Sequence, residues 1–112
     1  MARIDYVELP SVTAHEVTRG FYSKAFGWNF TDYGPDYAAT TNGDVDVGLN
    51  GQPGEALSAP LPVVRVEDLE ATFDAVVKAG GIIAKDIFSF PGGRRFHFID
   101  PSGSELAVWS DR

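Results

Sequence analysis

A chain of 112 residues, 44% of them apolar and including eight Phe, four Tyr and two Trp, can build one domain around one core. Its formal charge of −7 excludes nucleic acid as a natural partner, because phosphate binding needs a basic surface; acidity keeps a protein soluble and favours cationic ligands. The lack of cysteine excludes disulfides, thiolate catalysis and Cys–zinc sites, and with no cleavable apolar leader in Met1–Leu9 and no membrane-spanning run the expected location is cytoplasmic.

Ile4 to Pro10 reads as a strand. Thr13-Ala14-His15-Glu16 has the form of a capping box, and Val17, Phe21 and Ala25, four apart, predict a helix with one apolar face. His15 falls in its first turn and is expected to be exposed. Gly27 suits the left-handed residue that ends a helix. Short strands are predicted at Trp28–Tyr33, Tyr37–Thr41 and Val45–Leu49, punctuated by Gly34-Pro35 and by the hairpin signal Asn42-Gly43. Residues 51–60, rich in Gly, Pro and small side chains, read as a linker.

The pattern then restarts. Leu61–Val66 is a predicted strand, and Asp68 is placed to cap a helix whose stripe is Leu69, Phe73, Val76 and Val77. Gly80-Gly81 closes that helix. Strands follow near Ile82–Phe90, Arg94–Ile99 and Glu105–Ser110, separated by Pro91-Gly92-Gly93 and Asp100-Pro101-Ser102-Gly103. The order strand, helix, three strands thus occurs twice, in modules of about residues 1–50 and 61–112 of one α+β domain. A helix covers one face of each sheet, and two half-sheets side by side would leave a cup lined from both.

Phe21-Tyr22-Ser23-Lys24-Ala25-Phe26-Gly27-Trp28 resembles the "FY…vFGW" segment of the glyoxalase/bleomycin-resistance/dioxygenase (vicinal oxygen chelate) superfamily. Val66-Glu67-Asp68-Leu69 with Ala79-Gly80-Gly81 is similar to the borders of the family's second helix, and Phe98-Ile99-Asp100-Pro101-Ser102-Gly103-Ser104 to its "DPdGn" turn. Each motif is weak; in this order, over nearly the whole chain, they are strong together. The resemblance implies paired βαβββ modules forming a cup-shaped mixed sheet with helices outside, a homodimer, and in catalytic members a divalent metal held from four strand positions. Those positions fall here on Tyr6, on Val47 or Gly48, on Leu61 and on Ala107. Aliphatic side chains supply no donor, and one phenol does not hold a borderline metal, so no metal and no cofactor are expected.

Strand alternation predicts the cup lining. If Leu106, Val108, Phe96, Phe98, Val64, Val66, Val7, Leu9, Val45, Val47 and Leu49 face the helices, then Tyr6, Glu8, Asp46, Arg65, His97, Glu105 and Trp109 face the cup. Trp28 joins them as an aromatic that, with Tyr6 and Trp109, would stack on a flat ligand or meet a cation, or else plug the cup as core. Glu8 and Arg65 read as a structural ion pair. His97 reads as a hydrogen-bonded pocket residue or as a general acid–base. Glu8, Asp46, Glu105 and His97 are also the residues that a displaced metal site would have to use. Phe88 and Phe90, on one strand face, suit a lid or a subunit interface. Gly92-Gly93-Arg94-Arg95 lacks the strand–loop–helix setting of a phosphate loop.

The leading expectation is a metal-independent protein binding a small organic molecule, an antibiotic or metabolite, with a sequestration or resistance role. The alternative is a glyoxalase-like lyase, isomerase or dioxygenase acting on a small polar substrate. A protein-interaction domain with a filled cup is the third reading.

Overall fold

The computed structural model describes residues 2–54 and 58–112. The central residues of the expected linker, 55–57, lie outside them. The elements are β1 (Arg3–Pro10), α1 (His15–Phe26), β2 (Thr31–Asp32), β3 (Tyr37–Ala39), β4 (Asp46–Asn50), β5 (Leu61–Arg65), α2 (Leu69–Lys78), β6 (Ile82–Phe90), β7 (Gly93–Ile99) and β8 (Glu105–Ser110). The fold is α+β, and the βαβββ order occurs twice as predicted. The chain forms two compact units, Tyr6–Leu61 and, with the first residues of β1 through Asp5, Pro62–Arg112.

In the first unit the strands run β2-β3-β4-β1, with β1 parallel to β4 in the register Tyr6↔Asp46 and Glu8↔Gly48. β3 runs antiparallel to β4 with Tyr37 opposite Asn50. Tyr6, Glu8, Gly48, Asn50 and Tyr37 therefore share one face, since alternate residues of paired strands point the same way.

Helix α1 departs from expectation. It starts at His15 with Ala14 at the cap and no side-chain cap bond, so the Thr13 capping box is not formed. A bond between Ser11 Oγ and His15 Nδ1 (2.8 Å) takes up this corner, and His15 is half-buried rather than exposed. The predicted apolar face points outward: Val17 is 75% and Phe21 60% exposed, and Ala25 is exposed. Polar partners hold the opposite face inward, because Arg19 pairs with Asp32 at 2.8 Å and Ser23 Oγ donates to the carbonyl of Trp28 at 3.0 Å. Gly27, at φ 70°, ends the helix as predicted. The second predicted strand shrinks to Thr31–Asp32 because Trp28 packs on the helix instead. Asn42-Gly43 does not make a two-residue hairpin: Thr40 N bonds Val47 O (2.9 Å), a wider turn with Asn42 at φ 68°.

In the second unit the order is β5-β8-β7-β6, with β5 parallel to β8 and the other pairs antiparallel. Asp68 caps α2 as read, its Oδ1 accepting from Ala71 N at 3.0 Å. Leu69, Val66, Phe96 and Val108 form the core, with Phe73, Val76, Val64 and Phe98 packed against it. The rings of Phe73 and Phe96 meet edge to face at 5.0 Å. Val77 is half-exposed, outside the predicted stripe, because eight residues along a 3.6-residue helix overshoot the line of Leu69.

Candidate functional site

The first unit builds a polar network on the face shared by Tyr6, Glu8 and Tyr37. The Tyr6 and Tyr37 hydroxyls meet at 2.6 Å, and Tyr37 Oη donates to Glu8 Oε2 at 2.9 Å. Asn50 Nδ2 donates to Glu8 Oε1 at 3.2 Å. Glu8 is only 3% exposed, so these donors offset the loss of water around its charge. Burial, and next the Glu8 charge, push the Tyr37 phenol far above its ordinary range, which keeps it a neutral donor. The two phenols close over Gly48, where an added Cβ would collide with both hydroxyls and come within 2.7 Å of Tyr6 Cζ.

Two other expected site residues of this unit serve local structure. Asp46 Oδ1 accepts from Thr40 Oγ1 (3.0 Å) and Gly43 N (3.1 Å), which fixes the β3–β4 turn. Trp28 stacks on Tyr22 at 5.4 Å and lies 5.2 Å from Phe26, fastening the chain that leaves α1 back onto the helix.

In the second unit, Phe96 and Phe98 point toward α2, which turns Arg95 and His97 to the other face. Register sets Arg95 opposite Trp109 and His97 opposite Ala107. The Arg95 guanidinium lies over Phe88 at 5.5 Å and Phe90 at 5.9 Å. Trp109 carries Arg65 over its ring at 4.7 Å, approaches Phe90 at 6.0 Å, and donates from Nε1 to Asp5 at 3.0 Å. Arg65 pairs with the Asp111 carboxylate at 2.8 Å.

His97 is wholly buried and its Nδ1 lies 2.8 Å from Glu105 Oε2. A carboxylate only accepts, so Nδ1 carries the proton and the neutral ring presents a lone pair at Nε2. Burial lowers the His97 pKa, helped by Arg95 and Lys85 and opposed by Glu105, so the ring is neutral at neutral pH. Nε2 is buried with no hydrogen-bond partner among the described residues.

Sequence reasoning thus named His97, Glu105, Tyr6 and Glu8 as cup residues without assigning His97 to Glu105 or Tyr6 to Tyr37. It missed Tyr37 and Asn50 as the donors to Glu8, and Asp5 and Asp111 as the partners of Trp109 and Arg65. Strand register, once known, would have exposed Tyr37 and Asn50.

Two βαβββ units, each with a polar or aromatic face away from its helix, define a class of small α+β proteins. The chain matches the family model described as Glyoxalase/Bleomycin resistance protein/Dioxygenase superfamily over residues 3–108, and it belongs to that family. It is similar to "Putative glyoxylase CFP32" of Mycobacterium tuberculosis and of Mycobacterium bovis, 29% identical over 94% of this chain. The chain spans 44% of the length of these curated relatives. Among solved structures it is similar to a superfamily member from Vibrio splendidus (TM-score 0.69, 20% identity, 98% of each chain). It is also similar to the Mn(II)-bound glyoxalase from Novosphingobium aromaticivorans (TM-score 0.71, 20% identity, 99% of this chain and 40% of that one). Methylmalonyl-CoA epimerase from Mycobacterium tuberculosis shares the fold at TM-score 0.75 and 14% identity, over 96% of this chain and 86% of the other.

The residues present do not fit the metal that catalytic members of the family hold. The Tyr6 phenol is engaged with Tyr37, and the space above Gly48 is filled by both phenols. Leu61 and Ala107 are buried and aliphatic. No group of three or more His, Asp or Glu side chains able to hold a metal occurs among the described residues. No helix among them is long and apolar enough to cross a membrane.

Proposed function

We propose that this chain is a metal-independent member of its family that binds a small organic molecule, as an antibiotic- or metabolite-sequestering protein. The observation that carries this reading is the chemistry at the four family ligand positions: an engaged phenol, a glycine covered by two phenols, and two buried aliphatic side chains. Such a donor set has little affinity for a divalent ion, whereas aromatic and polar side chains suit organic ligands. Thermal unfolding against a panel of cationic antibiotics and aromatic metabolites tests it, each run with Mn²⁺ and with EDTA. A ligand at 100 times its Kd stabilises by about 2.7 kcal/mol, and the shift should be the same in both conditions. Silence across the panel, or shifts only with Mn²⁺, would refute it.

A lyase or isomerase is the second reading, favoured by one observation. His97, with Nδ1 held by Glu105, has the arrangement of an oriented general base. Turnover lost in His97→Gln and insensitive to EDTA would support this reading over simple binding.

A further inference from the structure

We propose that the outward face of α1 is an interface with a second copy of this chain, the two helices packing antiparallel about a twofold axis beside Phe21. The inference stands apart from the small-molecule reading, and no ligand enters its test.

An amphipathic helix ordinarily turns its apolar stripe toward its own core. In α1 polar side chains take the inward positions, where Arg19 bonds Asp32 and Ser23 bonds the Trp28 carbonyl. The stripe is left to solvent: Val17 is 75% and Phe21 60% exposed, and Ala25 is exposed. No residue of the helix is buried. Because Val17, Phe21 and Ala25 recur every four residues, they form one ridge of the kind that packs into the groove of another helix. Single exposed hydrophobes are ordinary, whereas a contiguous run of them marks a contact surface.

Three features fit that surface to its own copy. The first is charge. Glu16 lies in the first turn and Lys24 in the last, both exposed, and neither joins an ion pair among the described residues. The face is therefore neutral on a chain of net charge −7, and a basic partner drawn to the rest of the surface gains nothing there. A second copy run antiparallel brings each Glu16 within reach of the partner's Lys24 and sets opposite helix ends side by side.

The second feature is symmetry. The ridge reads alike in both directions from Phe21, with Val17 four residues before it and Ala25 four after. In an antiparallel pair centred there, Phe21 meets Phe21 and Val17 meets Ala25, the self-complementarity that a twofold interface requires. The third is Gly20, beside the crossing point, where an added Cβ would meet nothing within 4 Å. A mid-helix glycine costs helix stability and this one relieves no crowding within the chain; its missing side chain lets a second helix approach.

One 12-residue helix against another makes a small interface, below about 1,200 Å² in total, which is the class of transient complexes. Association is accordingly expected at roughly 10–100 μM.

Sedimentation velocity of the parent from about 5 to 500 μM should show monomer–dimer exchange across that range. Phe21→Glu should raise the dimer Kd at least about tenfold and leave the Tm of the dilute protein unchanged, since the ring is exposed in the monomer. Lys24→Glu, which removes only an exposed ammonium, should weaken association about two- to tenfold, and adding Glu16→Lys should recover it. These charge variants decide the matter should Phe21→Glu not fold. The chain lacks cysteine, so oxidation of a mixture of Val17→Cys and Ala25→Cys proteins reads the register directly. Helix axes 8–10 Å apart leave facing Cα atoms roughly 4–5 Å apart, within disulfide range, and the mixed disulfide should form. Val17→Cys alone should not link to itself, because its two copies lie about 12 Å apart along the helices. A parent monomeric throughout, a dimer indifferent to Phe21→Glu, affinity not recovered by the charge exchange, or self-linked Val17→Cys in place of the mixed disulfide would overturn the inference.

Discussion

Gly48→Ala is the smallest substitution that tests whether the first unit's polar network is built as described. A methyl group at this position would occupy the point where the Tyr6 and Tyr37 hydroxyls meet. The neighbours are aromatic rings anchored at both ends, so they cannot give way as a flexible chain tip would. Overpacking of this kind costs about 1–3 kcal/mol. Moving Tyr37 also removes its 2.9 Å hydrogen bond to the buried Glu8, and a bond to a charged group contributes about 1.5–3 kcal/mol. The expected loss is therefore about 3–5 kcal/mol, read by urea denaturation with the slope unchanged. Because a domain of this size loses several degrees of Tm per kcal/mol, calorimetry should show a fall of about 10–25 °C. In a Tyr6→Val background the methyl group has lost one obstacle, and the penalty should shrink by more than about 1 kcal/mol. A Gly48→Ala protein within about 1 kcal/mol of the parent would refute the placement of the two phenols. So would an undiminished penalty in the Tyr6→Val background.

Three further outcomes are expected. The His97 pKa lies below its ordinary value of 6.5, chiefly through burial, with Arg95 and Lys85 adding to and Glu105 opposing the shift. The unfolded ring therefore takes up a proton as pH falls below about 6.5 while the folded ring does not, so stability should fall from that pH downward. His97→Gln should remove that part of the slope in urea midpoints, leaving stability above pH 7 without a His97 contribution to its pH dependence. Asp68→Ala should cost about 1 kcal/mol by chemical denaturation, because Ala71 N loses its cap. Trp109→Phe deletes the 3.0 Å bond to Asp5 and narrows the ring under Arg65; a loss of about 1–2 kcal/mol is expected, and none at all would mean that neither contact stabilises the unit.

How far the sequence reveals this molecule depends on whether the deciding interactions are local. Helix α2 is legible because Asp68 bonds a neighbour three residues on and because Leu69, Phe73 and Val76 repeat at helical spacing into the core. Helix α1 carries an equally regular apolar stripe and exposes it. Its orientation is decided by Arg19 reaching Asp32 and Ser11 reaching His15, contacts that no periodicity encodes. Alternation alone placed His97 on the face away from Phe96 and Phe98, since a two-residue repeat survives folding unchanged. It could not select partners. Glu105 meets His97 because β7 and β8 pair with His97 opposite Ala107, two positions along from Glu105. Asp46 lies on the expected side of β4, yet its carboxylate is drawn into the turn by Gly43 N and Thr40 Oγ1. A short acidic side chain beside a Gly-containing loop finds backbone donors closer than any ligand.

The two units share an order of elements and differ in what their helix-free faces leave for a ligand. In the first, Tyr6, Tyr37, Glu8 and Asn50 bind one another, and a ligand could gain a hydrogen bond there only by breaking one of equal strength. Exchange of one good bond for another yields almost nothing, and a disrupted network leaves a buried carboxylate short of donors. In the second, Glu105 fixes one His97 nitrogen and leaves the other as a buried acceptor with no partner among the described residues. A ligand donor would repay a cost the fold already bears, so each new bond there counts toward affinity nearly in full. Polar recognition should accordingly concentrate on the second unit, and substitutions at Tyr6 or Glu8 should act first on stability and only through it on binding.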